Sequence, residues 1–127
     1  DAARPCLSHS DIDALLQADA SQGALLAVPL ADTLKRADVY ACVEETVPRE
    51  QLWRAMTPQS FPRGVLTQAL HDAISAGVLV TDESMAMERA GYRPRLIAGA
   101  ADNLKVTTSR DFALAEFLLA SAGDKHL

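Results

Sequence analysis

The sequence is poor in the features that mark several large classes of protein. Only two of its 127 residues are cysteines, Cys6 and Cys42, which is too few for a disulfide scaffold and predicts a cytoplasmic protein. Apolar stretches such as Ala24–Leu30 are far shorter than the roughly 20 residues that a membrane-spanning helix needs. The net charge is −5, whereas proteins that bind nucleic acid or membrane surfaces carry an excess of lysine and arginine. We therefore expect no nucleic-acid partner and no membrane partner.

Local motifs for metals and nucleotides are missing as well. His9, His71 and His126 lie far apart in the chain, and neither cysteine has a partner at metal-ligand spacing, so no structural zinc or iron site is expected. The six glycines are scattered and form neither a Gly-x-Gly-x-x-Gly pattern nor a Walker loop. A nucleotide enzyme needs a backbone cradle for its phosphates, and this chain does not contain one.

What the chain does contain is an alternation of helices and strands in one globular domain, with 49% apolar and 23% charged residues. This alternation favours helices packed on a mostly parallel sheet, with ligands beyond the carboxyl ends of the strands. The predicted elements are a helix capped by Ser10, a buried strand at 24–28, a hairpin within 31–48 with its turn near 37–39, a strand at 52–57, a helix with Pro62 in its first turn and Gly77 just past its end, an apolar connection or strand at 78–80, a helix at 82–90 capped by Thr81, strands at 95–98 and 104–107, and a helix capped by Ser109 that ends at Gly123.

Two of these elements raise questions of packing. An isolated hairpin is marginal in water, so the hairpin within 31–48 needs a surface to lie on, and a second subunit would supply one. The last helix is predicted to bury a stripe formed by Phe112, Ala115, Leu118 and Leu119.

Three short stretches combine polar residues in ways that suit chemistry, and each also has a plainer interpretation. Asp1 could face a metal ion and Arg4 a phosphate or carboxylate, or both could belong to a solvated loop. The hydroxyl of Thr57 could hold an anion or belong to an ordinary turn. Lys105, between Leu104 and Val106, could be a fixed cation in a cleft, although spacing alone favours a lysine that points to solvent.

Five runs of residues, taken in order along the chain, point to one family. Together they resemble the C-terminal half of the 2-C-methyl-D-erythritol 4-phosphate cytidylyltransferases of the non-mevalonate isoprenoid pathway. The runs are Asp-Ala-Ala-Arg-Pro at 1–5, Asp-Thr-Leu-Lys-Arg at 32–36, Leu-Trp-Arg-Ala-Met-Thr-Pro-Gln at 52–59, Thr-Asp-Glu-Ser at 81–84 and Asp-Asn-Leu-Lys-Val-Thr at 102–107.

The resemblance implies a fold and an activity. The fold is α/β, part of a Rossmann-like nucleotidyltransferase domain with a mostly parallel sheet flanked by helices and a projecting β-arm at about 30–52. The activity is transfer of CMP from CTP to 2-C-methyl-D-erythritol 4-phosphate (methylerythritol phosphate below), with release of pyrophosphate. Mg²⁺ is the implied cofactor, and a homodimer joined through the β-arm is the implied assembly.

The resemblance also implies a role for individual residues. Two are catalytic: Lys105 positions the phosphates, and Arg49 lies on the arm, which in this family completes the site of a second subunit. The substrate-binding residues are Asp1 and Ala2 at the ribose and the metal-binding region, Thr33 on the arm, and Arg4, Thr57 and Thr81 in the methylerythritol phosphate pocket, with Asp1 also the metal ligand.

One departure from the family pattern keeps other functions open. The family's glycine-rich CTP loop belongs to an N-terminal half that this sequence does not include, and the first residue is Asp1 rather than methionine. We therefore expect a piece of a longer protein, and we expect residues 1–127 alone to be inactive. The alternatives are a non-catalytic dimerisation or ligand-sensing module of the same ancestry, and a related sugar-nucleotide transferase.

Overall fold

A three-stranded sheet forms the centre of the protein, as seen in a computed structural model that describes residues 1–123. His126 lies outside the described residues. The elements in chain order are α1 (His9–Gln17), β1 (Ala24–Pro29), β2 (Leu34–Ala37), β3 (Val43–Val47), β4 (Trp53–Ser60), α2 (Arg63–Ser75), α3 (Glu83–Arg89), β5 (Arg95–Ala98) and α4 (Ser109–Gly123).

The strand order in the central sheet is β4-β1-β5. Strands β1 and β5 run parallel, with Ala24 opposite Arg95, whereas β1 and β4 run antiparallel, with Val28 opposite Arg54. The predicted α/β class with helices flanking the sheet is confirmed. Strand β4 continues three residues beyond the predicted end at Thr57, and it contributes the antiparallel pair of the described sheet.

Strand β1 is buried because its residues are apolar on both faces. Residues 24–28 are all buried, as predicted for an inner strand. Leu26 is fully buried, which contributes about 1.5–3 kcal/mol relative to an exposed side chain. Leu15 of α1 and Met56 of β4 pack in the same core, so this core fixes the helix before the sheet and the strand that leads to Thr57.

A second core joins α2 to α3. Ala69 and Ala73 of α2 are small enough for the helices to approach closely, and Met87 of α3 fills the space between them. Gly77 and Gly91 follow the two helices with φ of +70° and +93°, the left-handed conformation that ends helices. The predicted ends of both helices are therefore confirmed.

Strands β2 and β3 with their connecting loop form a separate two-stranded hairpin, called the arm here (residues 34–47). The loop covers residues 38–42, somewhat longer than the turn predicted near 37–39. Asp38 holds it, because one carboxylate oxygen accepts the N–H groups of Tyr40 and Cys42 at 2.9 Å. Arg36 and Glu45 pair across the strands at 2.6 Å. The predicted hairpin is confirmed, and no strand pairing within residues 1–123 joins it to the central sheet.

Three helix caps were predicted one or two residues away from their actual positions. The side chain of each actual cap accepts the N–H of the third residue after it, which the predicted residue does not do. Ser8, not Ser10, caps α1 and accepts the N–H of Asp11 at 3.1 Å. Asp82, not Thr81, caps α3 and accepts the N–H of Met85 at 2.8 Å. Thr108, not Ser109, caps α4 and accepts the N–H of Asp111 at 3.2 Å.

The prediction of a strand at 104–107 is wrong. This segment lies beside the opening loop of the chain rather than beside a strand, and its contact there is a hydrogen bond from the N–H of Val106 to the carbonyl of Ala3 at 2.7 Å. Residues 78–80 form a connection, which was one of the two alternatives for that segment.

Helix α4 buries less than its sequence predicts. Ala115 is buried, but Phe112 and Leu119 are 60% and 50% exposed, because no described element covers that face of the helix. The predicted end at Gly123 coincides with the last described residue. None of the helices in residues 1–123 combines the length and the apolar character needed to cross a membrane.

Candidate functional site

The opening loop of the chain is held against the end of β4. The side-chain hydroxyl of Thr57 donates to one carboxylate oxygen of Asp1, and the other oxygen accepts the N–H of Ala3 at 3.0 Å. Ala2 lies exposed in the same turn. Because Thr57 belongs to a strand of the central sheet, the Asp1 carboxylate has a fixed position relative to that sheet.

Asn103 connects this loop to the segment that contains Lys105. Its side-chain amide donates to the backbone carbonyl of Thr57 at 2.9 Å, and its backbone carbonyl accepts from the Arg4 guanidinium at 2.5 Å. The residue is 1% exposed, so the Asn103 side of both hydrogen bonds is buried. Its Oδ1 atom has no hydrogen-bond partner within residues 1–123. Asn103 therefore couples the positions of Arg4 and Thr57.

The loop that follows β5 is fixed by α1. Asp11 is buried, and its carboxylate accepts the N–H of Ala100 at 2.9 Å. Gly99 permits this approach, since a Cβ atom there would lie 3.0 Å from the Met56 side chain and 3.2 Å from the Asp11 carboxylate. The segment that connects β5 to Lys105 is therefore tightly packed where it begins, at Gly99 and Ala100.

These elements surround a cavity of about 360 Å³ that we call the cationic cleft. The pKa of Arg4 is lowered, mainly by burial and to a smaller extent by the nearby positive charge of Arg54. Neither these two arginines nor Lys105 forms a salt bridge in the part of the chain that the structure describes. The lining consists of Arg4, Arg54, Ala55, Met56, Ala101, Asn103, Leu104, Lys105 and Asp111.

Asp111 is the one carboxylate among the described residues that line the cleft. Its Oδ2 atom accepts the N–H and hydroxyl of Thr107 and the N–H of Thr108, at 3.1, 3.0 and 3.0 Å. The backbone hydrogen bond from Thr107, followed by the hydroxyl contacts, lowers the pKa of the Asp111 carboxyl. With three cations and one anion in its lining, the cleft carries a positive charge that suits a phosphate ligand.

Thr57 and Thr81, both predicted in the substrate pocket, line a second cavity of about 340 Å³. Gln59 links their two elements: its amide donates to Asp82 at 3.1 Å, and its side-chain oxygen accepts the N–H of Ser84 at 3.1 Å. The start of α3 is therefore fixed to β4.

Thr33 and Arg49 lie together at the base of the arm, around an open pocket of about 470 Å³. The Arg49 guanidinium donates to the carbonyl of Ala31, and the arginine side chain is exposed. Within one chain, Arg49 and Lys105 line different pockets. Six of the predicted site residues thus form three pairs: Arg4 with Lys105 in the cleft, Thr57 with Thr81 in the second cavity, and Thr33 with Arg49 at the base of the arm. Asp1 and Ala2 lie in the opening loop, which is bonded to Thr57.

Residues 1–123 alone offer a metal ion few ligands. No group of three or more histidine, cysteine, aspartate or glutamate side chains in residues 1–123 could hold one. Asp1 supplies an exposed carboxylate beside the Thr57 hydroxyl. This donor set fits Mg²⁺, which proteins often bind through one or two carboxylates while substrate phosphates and water supply the other ligands.

Sequence reasoning missed four residues of this region: Arg54, Gln59, Asn103 and Asp111. Arg54, Gln59 and Asn103 occur inside the runs that carry the resemblance, but spacing alone does not show which side chains cross between elements. Asp111 had a usable signal, because an aspartate three residues after Thr108 is the pattern of a helix N-terminus with reciprocal caps.

Comparison with known proteins assigns the family. The family model described as 2-C-methyl-D-erythritol 4-phosphate cytidylyltransferase matches residues 1–121. The chain belongs to this cytidylyltransferase family. The resemblance drawn from the five runs is therefore confirmed.

Individual members of the cytidylyltransferase family are similar over almost the whole chain. A relative of that name from Haemophilus influenzae is 57% identical over 119 residues, which cover 94% of this chain and 53% of the relative. One from Actinobacillus pleuropneumoniae is 55% identical over 125 residues, covering 98% of this chain and 55% of the relative. The chain thus spans about half the length of the curated relatives it matches.

Solved structures agree with the family assignment and the fold. The crystal structure of a 4-diphosphocytidyl-2C-methyl-D-erythritol synthase has a TM-score of 0.80 at 44% identity, covering 94% of this chain and 54% of the other. The cytidylyltransferase of Francisella tularensis has a TM-score of 0.83 at 34% identity, covering 93% and 56%. These neighbours confirm the predicted nucleotidyltransferase fold.

Proposed function

We propose that the complete protein transfers CMP from CTP to methylerythritol phosphate and releases pyrophosphate. The observation that carries this proposal is the cationic cleft, in which Arg4 and Lys105 share one cavity without a salt-bridge partner in residues 1–123. Family membership supplies the substrates, since relatives at more than half identity are named for this activity.

The reaction fits the side chains in the cleft. An oxygen of the methylerythritol phosphate attacks the α-phosphorus of CTP, and the bond from that phosphorus to the oxygen bridging to the β-phosphorus breaks, so pyrophosphate leaves with the electron pair. Negative charge is carried by the phosphoryl oxygens throughout, so catalysis depends on alignment and on cations. Lys105 supplies a compact positive charge and Arg4 a planar fork that binds two oxygens.

The Asp1 carboxylate has a binding role in this proposal. When bound, Mg²⁺ neutralises phosphate charge and orients the triphosphate. Asp1 is the residue that would hold it, and the Thr57 hydroxyl orients the carboxylate by donating to it. Ala2 leaves room beside Asp1 for the ribose, because it is exposed and has the smallest side chain after glycine.

We also infer a homodimer in which the arm of one subunit completes the site of the other. No other strand within residues 1–123 pairs with the arm, and its tip carries Val39 and Tyr40, which are 93% and 84% exposed. Arg49 and Thr33 at its base then reach the methylerythritol phosphate bound in the partner, which explains why these residues lie apart from Lys105 within one chain. The cytosol remains the predicted compartment.

Pyrophosphate release by the complete protein tests the proposed reaction. With CTP, Mg²⁺ and methylerythritol phosphate we expect turnover, and omission of any of them should abolish it. Activity with sugar 1-phosphates but not with methylerythritol phosphate would instead identify a sugar-nucleotide transferase. The absence of turnover with either acceptor would favour the non-catalytic module. Residues 1–127 alone should release no pyrophosphate, and enzyme-like turnover by that piece would contradict our prediction that it is inactive.

A further inference from the structure

Arg54 is a cation of the cleft that is carried by a strand of the central sheet. It lies on β4 opposite Val28, three residues before Thr57, and its side chain lines the cleft together with Arg4 and Lys105. Its place on the sheet is fixed by β1, whose burial holds β4 in register. Arg54 is therefore presented by a rigid element and not by a loop.

Within residues 1–123, the charges around Arg54 lack a counter-ion. The positive charge of Arg54 is close enough to Arg4 to lower the pKa of that arginine, in addition to the larger effect of burial. No carboxylate within residues 1–123 lies within salt-bridge distance of Arg4, Arg54 or Lys105. The Oδ2 atom of Asp111 already accepts three hydrogen bonds from its own helix start. Arginines that face each other without an anion repel, and a bound oxyanion removes that repulsion.

We propose that Arg54 is a third phosphate-binding side chain of the cleft, which together with Arg4 binds one phosphate group of a substrate. Two guanidinium groups can bind the oxygens of one phosphate through paired N–H donors, which a single lysine cannot do. The identity of that phosphate, in methylerythritol phosphate or in CTP, rests on the proposed function. The binding of a phosphate group by Arg54 does not.

The test compares three variants of the complete protein. Arg54→Gln removes the positive charge, whereas Arg54→Lys keeps the charge but lacks the planar guanidinium group. Arg63→Gln is the control, because Arg63 is an exposed arginine at the start of α2 that does not line the cleft. Calorimetric titration with inorganic pyrophosphate measures binding without turnover. We expect about tenfold weaker binding for Arg54→Gln, partial recovery for Arg54→Lys, and no change for Arg63→Gln.

Steady-state kinetics then identify the phosphate. In Arg54→Gln, the KM for one substrate should rise by about tenfold, with a smaller change in kcat, and the substrate affected is the one whose phosphate Arg54 binds. A rise in either KM supports the proposal.

Two results would overturn the role of Arg54. One is pyrophosphate binding by Arg54→Gln that matches Arg63→Gln, together with unchanged KM values for both substrates. The other is equal weakening in Arg54→Gln and Arg54→Lys together with lowered melting temperatures, which would reduce Arg54 to a structural residue. If no variant turns over but Arg54→Gln still loses pyrophosphate affinity, the proposed function fails while the phosphate-binding role of Arg54 stands.

Discussion

In the cationic cleft, Arg4 donates to the backbone carbonyl of the buried residue Asn103. At the base of the arm, by contrast, the exposed Arg49 donates to the backbone carbonyl of Ala31. Asn103 is 1% exposed and also bonds to a central strand, so the cleft is organised from within its own chain. The arm is stabilised by its own cross-strand pairs, such as Arg36 with Glu45. The difference teaches that one chain can position the cations of the cleft by itself, whereas Arg49 lies at a different pocket of the same chain.

Loss of Lys105 should have the largest effect on activity. Lys105→Ala in the complete protein removes a charge from the cleft, and we expect kcat to fall by roughly 10²–10⁴-fold, as for other preorganised electrostatic groups. Lys35→Ala is the matched control, because Lys35 bonds to Thr46 on the exposed surface of the arm. Its kcat should stay within roughly threefold of the parent, since exposed polar contacts contribute little. Equal losses in the two variants would remove the distinction between the cleft and the arm.

Loss of the Asn103 side chain should reduce stability. Asn103→Ala leaves the carbonyl of Thr57 without its buried partner, which costs about 1–3 kcal/mol in the free energy of unfolding. Urea denaturation of the complete protein measures this. Gln68→Ala, which removes an exposed hydrogen bond to Asp72 on α2, is the control, and its effect should stay below about 0.5 kcal/mol. A comparable effect of both changes would mean that Asn103 does not organise the cleft.

Asp111 should give the smallest effect, visible as a pH dependence. Hydrogen bonds from Thr107 and Thr108 lower its folded-state pKa, so the carboxylate stabilises the fold above the ordinary carboxyl pKa of about 3.9 and loses this effect as the pH falls through the folded value. Melting temperatures of the parent and Asp111→Asn should therefore differ at neutral pH and converge under acid conditions. A difference that persists unchanged into strong acid would contradict this role.

The parts of the fold that depend on local pattern could be predicted from the sequence. The continuous apolar run at 24–28 becomes the buried strand, and Gly77 and Gly91 end their helices because a left-handed residue is required there. The strand predicted at 104–107 failed because strands need a partner, and the alternation of residues does not say whether one is adjacent.

Part of the candidate site could be predicted from short polar stretches and from the resemblance. Arg4 and Lys105 were candidates on both grounds, and the fold brings them to one cleft. Arg54 and Asn103 were missed because their roles arise from contacts between β4, the opening loop and the segment after β5, which are distant in sequence. Their chemistry depends on tertiary packing, and neither periodicity nor capping rules report it.

Complementation between two inactive variants tests the central claim that the cleft of one subunit works with the arm of another. Arg49→Ala and Lys105→Ala versions of the complete protein are mixed in equal amounts, subunit exchange is verified by mass spectrometry, and pyrophosphate release is measured. Half of the dimers should then be hybrids with one intact site each, which predicts recovery to roughly one quarter of the parent activity. Activity no greater than that of the separate variants, in a mixture with demonstrated hybrids, would contradict a site shared between subunits.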